Sequence, residues 1–244
     1  TQQPPRTWTL SPPKKPSVHP HASADDGTTP LSSQVRGLMR LVTHPVVACT
    51  STLPGPGPKA SRLRAMTMSS FTSLALRPKP VISFNIATPS RTFDAVEASR
   101  RFNVHVLADD ASGAKIADWL ARGNAAGLKV FEGLREECQC EVLAEVSQED
   151  DDGHHPPVLH GPGVLYVLRC TLLEEPSKGL VRVLDHVIVL GEVLEILKIG
   201  PEDGATAAHD DEKGEGTSTS SRDSRFGLVY TDRRYRQLGN CIMP

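Results

Sequence analysis

Apolar positions along this chain come in short runs cut by proline, glycine and charged residues, a pattern of many strands and few helices. Order is expected to begin near Leu31, where Val35, Leu38, Met39 and Val42 recur at helical spacing with Ser32 or Ser33 as a cap. Residues 45–50 read as a buried strand, ended by Pro54-Gly55-Pro56-Gly57-Pro58. Residues 65–76 and 81–88 read as two strands joined by Arg77-Pro78-Lys79-Pro80. Phe93, Val96, Ala98 and Arg100 then take helical spacing behind a cap at Ser90 or Thr92. Residues 102–107 alternate as a strand does, and Asp109 or Asp110 opens a helix that places Ile116, Trp119 and Leu120 on one face. Asn124-Ala125-Ala126-Gly127 ends that helix. Residues 143–146 and 163–173 read as strands, and 181–197 as two strands, with Gly191 marking a bend or bulge between them. Residues 226–238 close the chain with a last strand or turn.

Many strands with two small helices predict a mainly β protein, a barrel of about six strands rather than a doubly wound sheet. One domain is expected over 31–240, after a disordered Pro-rich tail at 1–30. Polar insertions are expected at 148–162, which is acidic and contains His and Pro, and at 200–224, rich in Gly, Ser, Thr and acids. Residues 1–24 hold Arg6, Lys14 and Lys15 and no acid, which fits the remnant of a mitochondrial transit segment. Their prolines argue against the amphipathic helix such segments form.

Composition narrows the function. The net charge of −2 gives no reason to expect nucleic-acid binding, and 5% aromatic residues leave little for stacking bases. No apolar run approaches the roughly 20 residues that span a bilayer. The five cysteines, an odd and scattered set, favour an intracellular, reducing compartment. Cys138 and Cys140 are the only close pair. His154, His155 and His160 sit among prolines and aspartates, as in a solvated loop. No metal site is expected from either group.

The stretch 65–92 carries the chemistry. Its strands are dense in serine and threonine, whose buried hydroxyls each need a partner. Such strands suit a polar ligand lying along a sheet with its phosphate on the helix that follows. They equally suit a half-buried hairpin with its polar side to water. Arg91 offers a guanidinium fork between the hydroxyls of Ser90 and Thr92. Lys59, Arg62 and Arg64 precede this stretch and fit either an anionic ligand or a solvated loop.

In its order of motifs the chain resembles the flavin reductase-like, FMN-binding split-barrel proteins. The residues concerned are Pro45-Val46-Val47 with Thr50, the run from Met66 to Leu76 with Pro78 and Pro80, and Ser90-Arg91-Thr92. Residues 102–107, Leu168-Arg169-Cys170, and Asp185-His186 with Gly191-Glu192-Val193 continue the series. Leu228-Val229-Tyr230 with Tyr235-Arg236-Gln237-Leu238 completes it. Met66-Thr67-Met68-Ser69-Ser70-Phe71 is the most specific part. The resemblance implies a split β-barrel with two or three small flanking helices, usually a homodimer holding FMN or FAD at the subunit interface. Thr67, Ser69 and Ser70 would contact the ring system and ribityl chain. Ser83, Ser90, Arg91 and Thr92 would surround the phosphate. Asp185-His186 stands where the reductases carry a Gly-Asp-His motif, which makes His186 the catalytic candidate and NAD(P)H a transient substrate. Read from the residues alone, His186 equally fits a satisfied histidine in an apolar strand. Two departures from the family pattern are Leu184 and Ala65, each standing in place of a glycine. The implied function is NAD(P)H-dependent reduction of flavin. The alternative is a catalytically inactive structural subunit of a larger, mitochondrial assembly that meets protein partners through the tail and insertions.

Overall fold

The computed structural model describes residues 30–56, 58, 62–122, 129–143, 155–199 and 225–239. Helix α1 (Leu31–Met39) leads into β1 (His44–Pro45), β2 (Val47–Thr52), β3 (Leu63–Met68), β4 (Thr72–Ala75) and β5 (Val81–Ala87). Helix α2 (Arg91–Ser99), β6 (Arg101–Leu107), and helices α3 (Ala111–Ala121) and α4 (Lys129–Cys138) follow. The remaining strands are β7 (Glu141–Leu143), β8 (Val158–His160), β9 (Val164–Leu172), β10 (Leu180–Val183), β11 (His186–Lys198), β12 (Val229–Thr231) and β13 (Arg234–Arg236). The main sheet is antiparallel, in the order β3-β2-β6-β9-β11-β5-β4, with β10 also paired to β11.

Both faces of this sheet are covered. Ala48, Leu107 and Val167 pack with Ile116, Leu120, Leu134 and Leu159 beneath α3 and α4. Cys49, Phe84, Phe102, Val104 and Val189 pack on the other face with Phe93 and Val96 of α2. Residues 102–107 therefore do not alternate between buried and exposed: β6 is buried almost throughout, because each face meets a core.

Several elements differ from the expectations. Residues 65–76 form two strands, β3 and β4, which lie at opposite ends of the sheet order. Ser70 explains the break. It stands in register opposite Asn85, and its hydroxyl accepts from the Asn85 N–H at 2.8 Å and donates to the Asn85 carbonyl at 3.4 Å. A side chain thus replaces the main-chain ladder, and the backbone is free to leave it. Gly191 marks no break between two strands, since β11 runs through it; the register shift falls between Val193 and Glu195. A Cβ at Gly191 would collide with Cζ of Phe102, so the glycine makes room for that ring. Chain reversal occurs instead at Leu184-Asp185, between the paired Val183 and His186.

Helix α4 was not expected among its many charged residues, yet Val130, Leu134 and Cys138 recur every fourth position and are buried. Neither Ser32 nor Ser33 caps α1; both lie inside it, after Pro30, and no side-chain cap bond forms. Ala95, not Ala98, joins Phe93 and Val96 on the buried face of α2. Of 143–146 only Leu143 is described, as the end of β7. Helix α3 ends at Ala121, before the expected stop at 124–127; those residues, the tail and the 200–224 insertion lie outside the described residues.

Of the segment 148–162, the described part does not stand off in solvent. Carbonyls of His155 and Pro157 accept from Thr52 and Thr50, and those of Pro156 and Pro157 from the Asn103 amide. Leu159 is fully buried. Sequence composition marks this segment as polar, but its carbonyls satisfy polar side chains of β2 and β6 that burial would otherwise leave unpaired.

Candidate functional site

The strand-to-helix junction after β5 is fixed by capping. Ser90 is extended (φ −146°, ψ 123°), and its hydroxyl accepts from the Phe93 N–H at 3.2 Å, which starts α2 at Arg91. Arg91 is exposed at the first helical position. Thr92 is buried and donates to the Ala65 carbonyl at 3.5 Å, holding the first turn of α2 against β3. The Ala65 side chain belongs to the core beneath α3 and α4, so this departure from glycine is absorbed as packing.

Thr67 points the same way as Ala65, two residues on. It donates to the Ala117 carbonyl of α3 at 2.8 Å. Ser69 is exposed at the end of β3, and Ser70 bridges to Asn85 as described. Ser83 is half-buried in the middle of β5, between Thr72 of β4 and Leu190 of β11. The structure thus places Ser70 against Asn85 of β5, and Ser90 and Arg91 at the start of α2, whose Thr92 meets β3 at Ala65. Thr67 and Thr92 face inward.

His186 arrives at the same edge from a different part of the chain. It begins β11 and pairs with Ala87, the last residue of β5. The Thr88 N–H and hydroxyl both donate to the Asp185 carbonyl, at 2.8 and 3.1 Å, which ties the turn to the segment leading into Ser90. The His186 side chain is 50% exposed, and its Nδ1 donates to the Asp185 carboxylate at 2.9 Å. That bond holds the Asp185 carboxyl below its ordinary range and fixes the ring with Nε2 unengaged by Asp185.

Leu184 has φ +53° and is 99% exposed. Its side chain projects from the turn into solvent, and the positive φ explains why glycine suits this position. Leu184→Gly is expected to raise unfolding free energy by about 0.5–1 kcal/mol in chemical denaturation, as relief of left-handed strain outweighs the lost chain stiffness.

Arg64 lies on edge strand β3. Its guanidinium donates to the Leu63 carbonyl at 2.8 Å. Partial burial, then the nearby Arg91 guanidinium, lowers its pKa, while Asp94 raises it. Arg64 and Asn85 were not among the expected site residues, although Arg64 did appear within the basic run before the central stretch. Nothing local shows that Arg64 faces α2; only the β3–α2 packing does.

Among the described residues, burial quiets the cysteine thiols. Cys49, Cys138, Cys140 and Cys170 are free and buried, with Cys49 and Cys140 pushed up to about 12 and Cys138 to about 11. Among the described residues, no group of three His, Cys, Asp or Glu could hold a metal ion, and no helix is long and apolar enough to cross a membrane.

Comparison with known proteins bears on this edge. A family model described as the flavin reductase like domain matches residues 39–239. A putative flavin reductase from Haemophilus somnus superposes with a TM-score of 0.56 at 16% identity, covering 84% of this chain and 98% of its own. The NADH:FAD oxidoreductase SgcE6 of Streptomyces globisporus, in complex with NAD and FAD fragments, gives 0.54 at 19% identity, covering 85% and 93%. The flavin reductase HpaC, complexed with NADP+, gives 0.54 at 20% identity, covering 85% and 98%. At these identities the likeness establishes the fold, the split barrel.

Proposed function

The chain belongs to the flavin reductase like domain family, and from that premise we propose that it binds FMN or FAD and reduces it with NAD(P)H. One observation carries the proposal: the β11–β5 register sets His186 beside Ala87, three residues before the Ser90 cap and Arg91. A hydroxyl-lined, basic edge and a held histidine thereby share one end of the sheet. This suits a flavin whose phosphate meets Ser90 and Arg91 and whose ring and ribityl chain pass Ser69, Ser70 and Ser83. Thr67 and Thr92, whose hydroxyls donate to carbonyls, keep β3, α2 and α3 in place around it.

Flavin and reduced nicotinamide supply the two-electron hydride chemistry between themselves. The protein's part is placement. Arg91 neutralises phosphate charge with a planar fork. His186, held through Nδ1 by Asp185, presents Nε2 to orient the nicotinamide nucleotide. The Leu184 side chain projects away from the sheet, which favours retained nucleotide access over the inactive-subunit alternative.

Homodimerisation is part of the proposal. Leu76, Leu194 and Ile196 are exposed around an apolar groove floored by Phe71, Ile82 and Val193. An apolar patch of this kind on a folded chain is expected to be covered.

Stopped-flow mixing of flavin-loaded protein with NADH and with NADPH tests the function. Bleaching of the oxidised flavin band is expected with at least one nucleotide. In His186→Ala, flavin stays bound while KM for that nucleotide rises roughly tenfold, the scale of one lost orienting hydrogen bond. Absence of bleaching with both nucleotides would exclude reductase activity.

A further inference from the structure

The geometry points to Asn85 as a substrate-binding residue that holds the carboxamide of the nicotinamide nucleotide in a two-bond amide pair beside His186. The inference rests on the reductase reading above and adds to it a residue and the substrate group it recognises. Asn85 lies in the middle of β5, where Ile82, Phe84 and Ile86 enter the core with Val187 and Val189 of β11. Strand alternation turns Ser83, Asn85 and Ala87 to the opposite face, together with His186 and Ile188. His186 stands in register with Ala87, and Ile188 with Asn85, so Asn85 is a diagonal neighbour of His186 on that face. Diagonal positions of an antiparallel pair lie about 7–8 Å apart, a span at which two polar side chains reach opposite ends of one pyridine ring.

The fold makes no use of the Asn85 carboxamide. The bridge to Ser70 engages only the Asn85 main-chain N–H and carbonyl, which any residue supplies. Among the described residues the exposed carboxamide itself has no hydrogen-bond partner. Asparagine is also a poor strand former, so neither packing nor propensity accounts for it at the centre of a seven-residue strand. Ser83 and Ala87, two positions to either side, are short and leave the carboxamide standing clear of β5. A carboxamide presents a carbonyl acceptor beside an N–H donor. Its complement is a second carboxamide, with which it forms two parallel N–H···O bonds. The nicotinamide ring carries that group, and the held imidazole of His186 lies next to Asn85 to orient the same ring. The pyrimidine edge of the flavin also sets a donor beside an acceptor, and the experiment separates the two.

Stopped-flow bleaching of the FMN-loaded protein, followed against the concentration of NADH, NADPH and the reduced 3-acetylpyridine analogue of each, tests this. The analogue keeps the carbonyl and carries a methyl group in place of the amide nitrogen, so it forms only one of the two bonds. Asn85→Ala is expected to raise the half-saturating concentration of the faster natural nucleotide about tenfold and that of its analogue less than about threefold. FMN affinity should stay within about twofold of the wild type. Equal losses for nucleotide and analogue, or no loss for either, overturn the inference and leave the reductase reading standing. A fall in FMN affinity as large as the loss for the nucleotide also overturns it, and assigns Asn85 to the flavin instead. If none of the four nucleotides bleaches the wild type, the reductase reading falls, and the inference with it.

Discussion

Lowering the pH from 6.5 to 4 is expected to remove about 3 kcal/mol of folding stability through one residue, His105. Its side chain is 0% exposed on β6. The Leu159 N–H donates to Nε2 at 3.0 Å, so the proton resides on Nδ1, which donates to the Ala48 carbonyl at 3.3 Å. Both ring nitrogens are satisfied only in the neutral form. Burial lowers the pKa from 6.5 to about 4, against a smaller upward push from the Ala48 bond. The folded value lies below the unfolded one, so the unfolded chain takes up its proton first as pH falls. The stabilisation is complete above pH 6.5 and is lost on the way down to about 4. Urea denaturation at several pH values, compared with His105→Gln, isolates this slope from that of the carboxylates. The variant is expected to be less stable at neutral pH and to lack the His105 part of the dependence. Equal slopes in both proteins would show that the site does not discriminate against the charged ring. Protonation would also set donor against donor at Leu159, so hydrogen exchange of the 155–160 backbone should rise over the same range.

Gly191→Ala is expected to cost about 2–3 kcal/mol, at the upper end for one added methyl in a packed core. The methyl would enter the space of the Phe102 ring, which is fully buried and stacked edge-to-face on Phe84 with centroids 5.4 Å apart. Neither ring can withdraw, because the Phe84–Phe102 pair fills the core under α2. Phe102→Leu shortens the obstacle at a cost of about 1–1.5 kcal/mol by itself. Combined with Gly191→Ala it should cost less than the sum of the two, by about 1–2 kcal/mol. Thermal denaturation of the four proteins of this cycle measures the coupling. Strict additivity would mean that the methyl is accommodated by movement of the backbone rather than resisted by Phe102.

Local signals in the sequence determined β2, β6 and β9 and the caps of α2 and α3. Ser90 and Asp110 cap α2 and α3 because a short polar side chain before a helix can take an orphan N–H, a rule that reaches only three residues. The hydroxyl-rich order of 65–92 and the Asp185-His186 pair were legible for the same reason: each is a run of neighbours. Tertiary structure alone decided where those runs meet. The pairing of His186 with Ala87, the bridge from Ser70 to Asn85 and the contact of Thr92 with Ala65 join residues distant in sequence, and no local periodicity encodes a register. Gly191 reads as a bend or bulge between two strands because a glycine in a strand looks the same whether the backbone turns there or a ring from another strand needs the space. The packing of 155–160 was likewise hidden. Polar composition predicts exposure only until buried partners such as Thr50, Asn103 and His105 supply the missing hydrogen bonds, and those partners come from strands far along the chain.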